Sequence, residues 1–211
     1  MDTNGAGTEV PVLGERNTGV TQRQTQARES REAEAILMDR IRAKDVDAFE
    51  DLYRSYRNRL ARFLFKLVHR PHLVEEILND TLMVVWERAE AFNGESKLST
   101  WIFAIAYRKS MKALRRHQDP VDDKGAEDRP SLDPSPEDEF GRERIRAILL
   151  QAIGELSPEH KAVVEFTYFH EMGYQEIAEI MSCPVGTVKT RMFHARRQLR
   201  RRLAGELPDW L

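Results

Sequence analysis

The chain has 211 residues, 41% of them hydrophobic and 32% charged, which is enough for one medium domain or two small ones. No stretch approaches the roughly 18 consecutive apolar residues of a membrane-spanning helix, and the start of the chain lacks the apolar block of a signal peptide. We therefore expect a cytoplasmic protein without membrane insertion. The single cysteine, Cys183, excludes an intrachain disulfide and a cysteine-based metal cluster within one chain.

The net charge of −2 hides a strong asymmetry along the chain. Residues 117–141 contain nine acidic and two basic residues, whereas residues 189–203 contain seven basic residues and no acidic one. A whole-chain sum therefore does not argue against nucleic-acid binding. The basic segment is the first candidate for such a surface.

The first part of the chain divides into a tail and three helices. Residues 1–30 are polar, contain four glycines and lack apolar periodicity, which predicts a disordered tail. From about residue 32 to residue 67, apolar residues recur at three- and four-residue spacings and predict two helices. After Pro71, the same pattern predicts a third helix from about Leu73 to Ala91.

A short loop and a fourth helix complete the first half. Asn93-Gly94 is a helix-ending pair, and either Ser99 or Thr100 is expected to cap the helix that follows. That helix is predicted from Trp101 to about Arg116. Its last turns carry several basic residues without an intervening acid.

Residues 117–141 combine four prolines with the acidic cluster, which is typical of an extended, solvated linker. An amphipathic helix should follow, and then a helix that Ser157 caps and Pro158 opens. A short helix at 174–181, a tight turn and a long basic helix from 185 to about 203 end the pattern, and no segment has the periodicity of a strand.

The fold class is therefore all-α. We expect two small helical domains, residues 31–116 and 142–211, joined by an acidic flexible linker. The last two helices have the spacing of a helix-turn-helix, in which an apolar stripe on the long helix packs against the short one. The opposite, basic face then suits DNA, whereas a solvated face on an ordinary bundle would normally include acids for salt bridges.

Two stretches carry a family resemblance. EIAEIMSCPVGTVKTRMFHARRQLRRRL resembles the promoter-reading fourth region of extracytoplasmic-function sigma factors, a group of the sigma-70 family of bacterial RNA polymerase. DAFEDLYRSYRNRL and VEEILNDTLMVVWERAEAFNGESKLSTWIFAIA resemble the second region of that family. The resemblance implies an alternative sigma factor, not an enzyme, that binds core polymerase and directs promoter recognition, DNA melting and transcription initiation at a specific regulon.

The resemblance also implies a polymerase-binding surface on the third helix, which in the family grips the clamp helices of the largest subunit. Without that context the same residues would be a solvated acidic face. In the family, Asp and Gln usually stand at the positions of Glu76 and Asn79. The implied contacts are Glu76, Asn79, Asp80, Met83 and Glu87.

The loop at 92–99 and the helix after it are similar to the family's reader of the minus-ten element, which holds a base flipped from the melted strand. Trp101 is expected in the core, while Phe92 is equally compatible with stacking on DNA. The family often has Asn at the position of Arg108 and a polar or acidic residue at that of Lys112. The implied contacts are Phe92, Asn93, Lys97, Arg108, Lys109, Lys112 and Arg115.

The basic helix corresponds to the family's reader of the minus-thirty-five element. His194 stands where the family commonly has Arg, which predicts a changed base preference. The implied contacts are Thr187, Lys189, Thr190, Arg191, Phe193, His194 and Arg197.

The same resemblance implies the partners, and one alternative function stays open. The expected partners are the largest and second-largest subunits of core RNA polymerase, promoter DNA and an anti-sigma factor. The alternative is a stand-alone helix-turn-helix activator, which explains the C-terminal half equally well but not the pattern at 92–116. No metal site, cofactor or catalytic residue is expected, because the sequence has no phosphate-binding glycine loop and no HExxH pairing.

Overall fold

The computed structural model describes residues 18–116 and 139–204. Every regular element in these two ranges is a helix, which confirms the all-α class. None of these helices is long and apolar enough to cross a membrane. The elements are α1 Thr18–Arg42, α2 Val46–Val68, α3 Pro71–Glu87, a 3-10 turn Ala89–Ala91, α4 Leu98–Arg116, α5 Glu139–Gly154, α6 Pro158–Tyr168, α7 Tyr174–Met181 and α8 Val185–Leu203.

Helix α1 begins earlier than the sequence predicts. The prediction of a disordered tail is wrong for residues 18–30, and residues 1–17 lie outside the described part of the chain. Gln, Arg, Glu and Ala in this segment favour a helix without supplying an apolar stripe. An exposed ion pair one turn apart, Arg28 Nε to Glu32 Oε1 at 2.9 Å, adds to it. The sequence has no apolar periodicity before about residue 32, so the pattern gave no signal for this first part of α1.

The predicted acidic linker falls almost wholly outside the described residues. Only its last three residues, 139–141, are described, and they belong to α5 instead. The second helical unit therefore starts at residue 139, three residues before the predicted boundary.

In the first unit, α2, α3 and α4 pack around a common apolar core that includes Leu60, Ile77 and Ile102. The caps explain where the helices begin and end. Asp45 accepts a hydrogen bond from the amide of Ala48 at the start of α2, and it is the N-cap. The C-cap of α2, His69, has a left-handed φ of 57°, and the fixed φ of Pro71 starts α3.

The second unit contains α5 to α8. Ser157 caps α6 as predicted, since its hydroxyl accepts from the amide of His160 at 3.3 Å. Helix α7 matches its predicted bounds, and Ser182 ends it with a left-handed φ of 51°. Val188, Met192 and Ala195 of α8 are buried, as the stripe predicts, and the helix-turn-helix is confirmed.

The two units share one hydrophobic core. The ring of Phe63 in α2 stacks on Phe166 of α6 with centroids 4.7 Å apart, and Phe103 of α4 meets Phe166 edge-on at 5.9 Å. Helix α4 also lies along α7. We call the packing of Phe63 and Phe103 on Phe166, together with that of α4 along α7, the seam. The two units are therefore joined by direct packing as well as by the chain between them.

Charged residues cross the seam beside these rings. Lys66 Nζ lies 2.9 Å from Glu165 Oε2, and Lys161 Nζ lies 2.9 Å from Nε2 of His69. Glu165 and Lys161 are only 1% and 5% exposed. Burial raises the pKa of Glu165 against the opposing effect of Lys66, and burial lowers the pKa of Lys161. Removing one member of such a buried pair leaves the other without a partner, which is costly.

Candidate nucleic-acid interface

The outer face of α8 is basic and exposed, while its inner face holds the helix on the rest of the unit. Phe193 is 62% exposed at the centre of the outer face. Thr187 is half-buried near the helix start. The predicted contacts that lie exposed on this face are Lys189, Thr190, Phe193, His194 and Arg197.

Arg191 differs from the other predicted contacts on α8. Its side chain is half-buried, and Nη1 lies 3.7 Å from the sulfur of Cys183 and 4.0 Å from that of Met181. The guanidinium therefore lies against the α7–α8 turn. Its assignment to the outward, DNA-facing set is corrected on that ground.

Two exposed arginines of α8 also contact other parts of the second unit and so anchor the helix. Arg196 donates to the hydroxyl of Tyr168 at 2.8 Å, and Arg202 Nη2 lies 2.9 Å from Glu155 Oε1. Within the described residues, no acid pairs with the remaining exposed cations of the helix. Those cations are Lys189, Arg197, Arg200 and Arg201.

An open groove of about 640 Å³ runs beside this face, and it includes a residue that the sequence reasoning missed. His160, in the first turn of α6, faces His194 with ring centroids 6.3 Å apart. Burial, together with the nearby His194, lowers the pKa of His160. The Ser157-Pro158 cap could have placed His160 in the first turn of α6, because a cap fixes which residues form that turn. The groove is lined by His160, His194, Arg197, Gln198, Arg200, Arg201 and Ala204.

The second basic face lies on α4. Arg108, Lys112 and Arg115 are exposed and follow one another at four- and three-residue spacing, so they share one side of the helix. Lys109 lies beside them, and its Nζ is 2.9 Å from Asp80 Oδ2. This ion pair connects a residue predicted to hold DNA with one predicted to bind polymerase.

Phe92 is buried, being only 4% exposed, and its ring packs on Trp101 at 5.5 Å. In this conformation it cannot stack on a base. The prediction that Phe92 is a direct DNA contact is therefore corrected: its ring anchors the start of the loop to the core. Trp101 packs in the core, as expected.

The loop that follows is ordered by local hydrogen bonds. Asn93 Oδ1 accepts from the amide of Glu95 at 3.1 Å, and Gly94 has a φ of 76°, a conformation that favours glycine. Lys97 Nζ lies 2.8 Å from Glu176 Oε1 across the seam. A predicted DNA contact of the first unit is thus held by the helix-turn-helix of the second.

The start of α4 differs from the prediction. The helix begins at Leu98, before Ser99 and Thr100, so neither of these residues is its cap. The amide of Leu98 donates instead to Glu34 Oε2 of α1 at 3.1 Å. The sequence could not indicate this contact because its partners are 64 residues apart.

The outer side of α3 carries the predicted polymerase contacts, all of them exposed. Met83 is 53% exposed and provides an apolar centre. Thr81 and Leu82 face the core instead. The exposed contacts are Glu76, Asn79, Asp80, Met83 and Glu87.

Among the described residues, no group of His, Cys, Asp and Glu is arranged to hold a metal ion. The geometry is that of two cationic helices, α4 and α8, on two packed helical units, with an acidic face on α3. This arrangement presents two cationic surfaces whose charge suits nucleic acid and one acidic surface apart from them.

Comparison with known families assigns both units. Residues 52–119 match the model for sigma-70 region 2, and residues 146–199 match the model for sigma-70 region 4. Together the matches cover more than half of the chain. The chain belongs to the sigma-70 family of RNA polymerase sigma factors, in the extracytoplasmic-function group.

Relatives and solved structures agree with this assignment. The extracytoplasmic-function sigma-E factor of Haemophilus influenzae is 29% identical over 79% of this chain and 93% of the relative. The factor RpoE of Cereibacter sphaeroides is 29% identical over 80% and 93%. CnrH, solved with the cytosolic domain of CnrY, shares the fold with a TM-score of 0.60 at 19% identity, covering 82% of this chain and 97% of CnrH. RpoE of Bartonella quintana, solved with the anti-sigma factor NepR, has a TM-score of 0.53 at 23% identity, covering 75% and 98%.

Proposed function

We propose that this chain is a cytoplasmic alternative sigma factor that binds core RNA polymerase, recognises a specific set of promoters and melts them for initiation. The observation that carries the proposal is the presence of two exposed cationic helix faces, on α4 and α8, in one chain with regions 2 and 4. A promoter reader needs two DNA contacts, one at each promoter element.

Each face has a distinct task in this proposal. On α8, Lys189, Phe193 and His194 read base edges in the major groove, while Arg197, Arg200 and Arg201 hold phosphates. On α4, Arg108, Lys112 and Arg115 hold the backbone of the melted strand. Loop 92–97 meets the unstacked base of that strand.

The acidic outer face of α3 binds the largest polymerase subunit. Asp80 belongs to this face, and its ion pair with Lys109 links polymerase binding to the orientation of α4.

We also propose an anti-sigma factor as a regulatory partner. CnrH was solved with the cytosolic domain of CnrY, and RpoE of Bartonella quintana with the anti-sigma factor NepR. Exposed apolar side chains close to the seam, Phe65 and Phe169, offer contact area for such a partner.

In vitro transcription with purified core polymerase tests the function. Genomic DNA is transcribed with core alone and with core plus this chain, and the transcript starts are sequenced. We expect new starts that share two upstream elements and depend on the chain. If the chain instead binds duplex DNA tightly by itself and gives no starts with core, the stand-alone activator is the correct function.

A further inference from the structure

Helix α1 holds both ends of loop 92–97. At one end, Arg42 donates through Nη2 to the carbonyl oxygen of Phe92 at 2.5 Å and through Nε to that of Ala89 at 3.3 Å. At the other end, Glu34 Oε2 accepts from the amide of Leu98 at 3.1 Å. Both side chains are half-buried, and neither lies in the loop or on α4.

The contact with Glu34 satisfies a backbone group that the local helix leaves open, and Arg42 adds donors to two carbonyls of the 3-10 turn and its cap. The amide of Leu98 is in the first turn of α4 and has no acceptor within that helix, and a carboxylate there also complements the helix dipole. Ala89 begins the 3-10 turn, and Phe92 is its C-cap. The guanidinium reaches the two carbonyls through two different nitrogens held in one plane, a geometry that the single ammonium nitrogen of lysine does not reproduce.

The spacing on α1 fixes the span of the loop. Glu34 and Arg42 are eight residues apart, which corresponds to about 12 Å along a helix axis. Arg42 is itself held by Asp39 one turn before it. A rigid helix therefore sets the positions at which the loop leaves the 3-10 turn and enters α4.

We infer that Glu34 and Arg42 are positioning residues for promoter opening. They order the loop before DNA arrives, so that capture of an unstacked base does not also have to order the loop backbone. Neither residue contacts DNA. The inference rests on the proposed function of loop 92–97.

The test compares Glu34→Ala and Glu34→Gln in holoenzyme assembled with core polymerase. The glutamine keeps an oxygen acceptor at the same reach, whereas alanine removes it. We expect Glu34→Ala to slow open-complex formation about ten-fold, with unchanged core affinity, and Glu34→Gln to stay close to wild type. Arg42→Lys should slow opening as well, because one ammonium nitrogen does not reproduce the two-nitrogen geometry of the guanidinium. Glu32→Ala, which breaks an exposed ion pair on the same helix, is the matched control and should open promoters normally.

Hydrogen exchange of residues 93–101 in the free chain gives a second measurement that needs no promoter. Faster exchange there in Glu34→Ala, with the rest of the first unit unchanged, is expected. If Glu34→Ala does not fold, Glu34→Asp keeps the charge, shortens the side chain and should show the same slow opening and fast exchange.

Opening at the wild-type rate by Glu34→Ala, or slowing only in proportion to lost core affinity, would overturn the inference. A wild-type chain that opens no promoter would instead refute the proposed function. The exchange measurement would still decide whether α1 orders the loop.

Discussion

At the scale of single residues, Phe92 is a core residue at the edge of a functional loop. Replacing a buried phenylalanine with alanine removes apolar contacts and leaves a cavity, so we expect Phe92→Ala to lower the free energy of unfolding by about 3–5 kcal/mol. Urea denaturation followed by circular dichroism measures it. Phe193→Ala is the matched control, because Phe193 is 62% exposed and its loss should change stability by less than about 0.5 kcal/mol. Equal effects of the two changes would show that Phe92 is not buried in solution.

Asp80 and Glu76 test the polymerase-binding surface at the same scale. Both are exposed on α3, so reversing their charge to lysine should weaken core binding without unfolding the chain. Co-purification with core polymerase measures the effect. The reversal also breaks the Asp80–Lys109 ion pair, but an exposed pair contributes only about 0–1 kcal/mol to stability.

A control separates this surface from a general effect of charge. Asp51→Lys with Glu179→Lys changes the net charge equally at exposed positions on α2 and α7. This control should co-purify with core polymerase at wild-type yield. If the α3 double variant does so too, α3 is not the polymerase contact.

At the scale of elements, α8 should separate base reading from phosphate binding. His194→Arg should change the preference at one position of a randomised upstream element, since a base contact carries about 1–3 kcal/mol of discrimination. Arg201→Ala should weaken all sequences alike and reduce the salt dependence of binding by about one counterion. Selection from the randomised library by wild-type and variant holoenzymes measures both. An unchanged preference with His194→Arg would remove His194 from the base-reading set.

The elements also show what a sequence can predict. Helices with an apolar stripe were predicted to within a few residues, and α7 was predicted at its observed bounds, because burying a face imposes a period. Residues 18–30, where α1 begins, carry no apolar period in the sequence. The start of α4 depends on Glu34, a residue far away in the chain, and local capping rules therefore chose the wrong residues.

At the scale of the whole molecule, the seam is the feature that the sequence did not predict. Phe63, Phe103 and Phe166 occupy regular apolar positions of their own helices, and nothing in their spacing shows that they meet. The two cationic faces could be assigned from residue type and period. The burial of Phe92, the inward turn of Arg191 and the capture of Lys97 by Glu176 depend on tertiary packing.

Acid should loosen the seam. The ring of His170 packs against Phe103 and Phe166. Burial, with the nearby Arg59, Lys66 and Arg62, lowers the pKa of His170 from 6.5 to about 4. A lowered pKa means that the packed form binds the proton less well than the separated form does. The contribution of His170 to seam stability is therefore complete above about pH 6.5 and is lost as the pH falls from 6.5 toward 4.

Energy transfer between dyes on the two units measures this loosening. One dye is placed on Cys183 and the other on an Arg57→Cys variant, since Cys183 is the single native cysteine. We expect transfer to decrease as the pH falls through this window. The decrease should be smaller with His170→Gln, which has no proton to take up, and an identical pH response of both proteins would exclude His170 as its cause.

The permanganate reactivity of thymines at a promoter found by start-site sequencing tests most directly whether this chain makes core polymerase open promoters. With core polymerase and this chain, thymines around the start site should become reactive, and they should stay unreactive with core alone. Lys112→Glu should abolish the reactivity on a duplex template, because it repels the strand itself, while Arg57→Glu, an equal charge change on α2, should preserve it. Thymines that are equally reactive with core alone, or with the Lys112→Glu chain, would contradict the account.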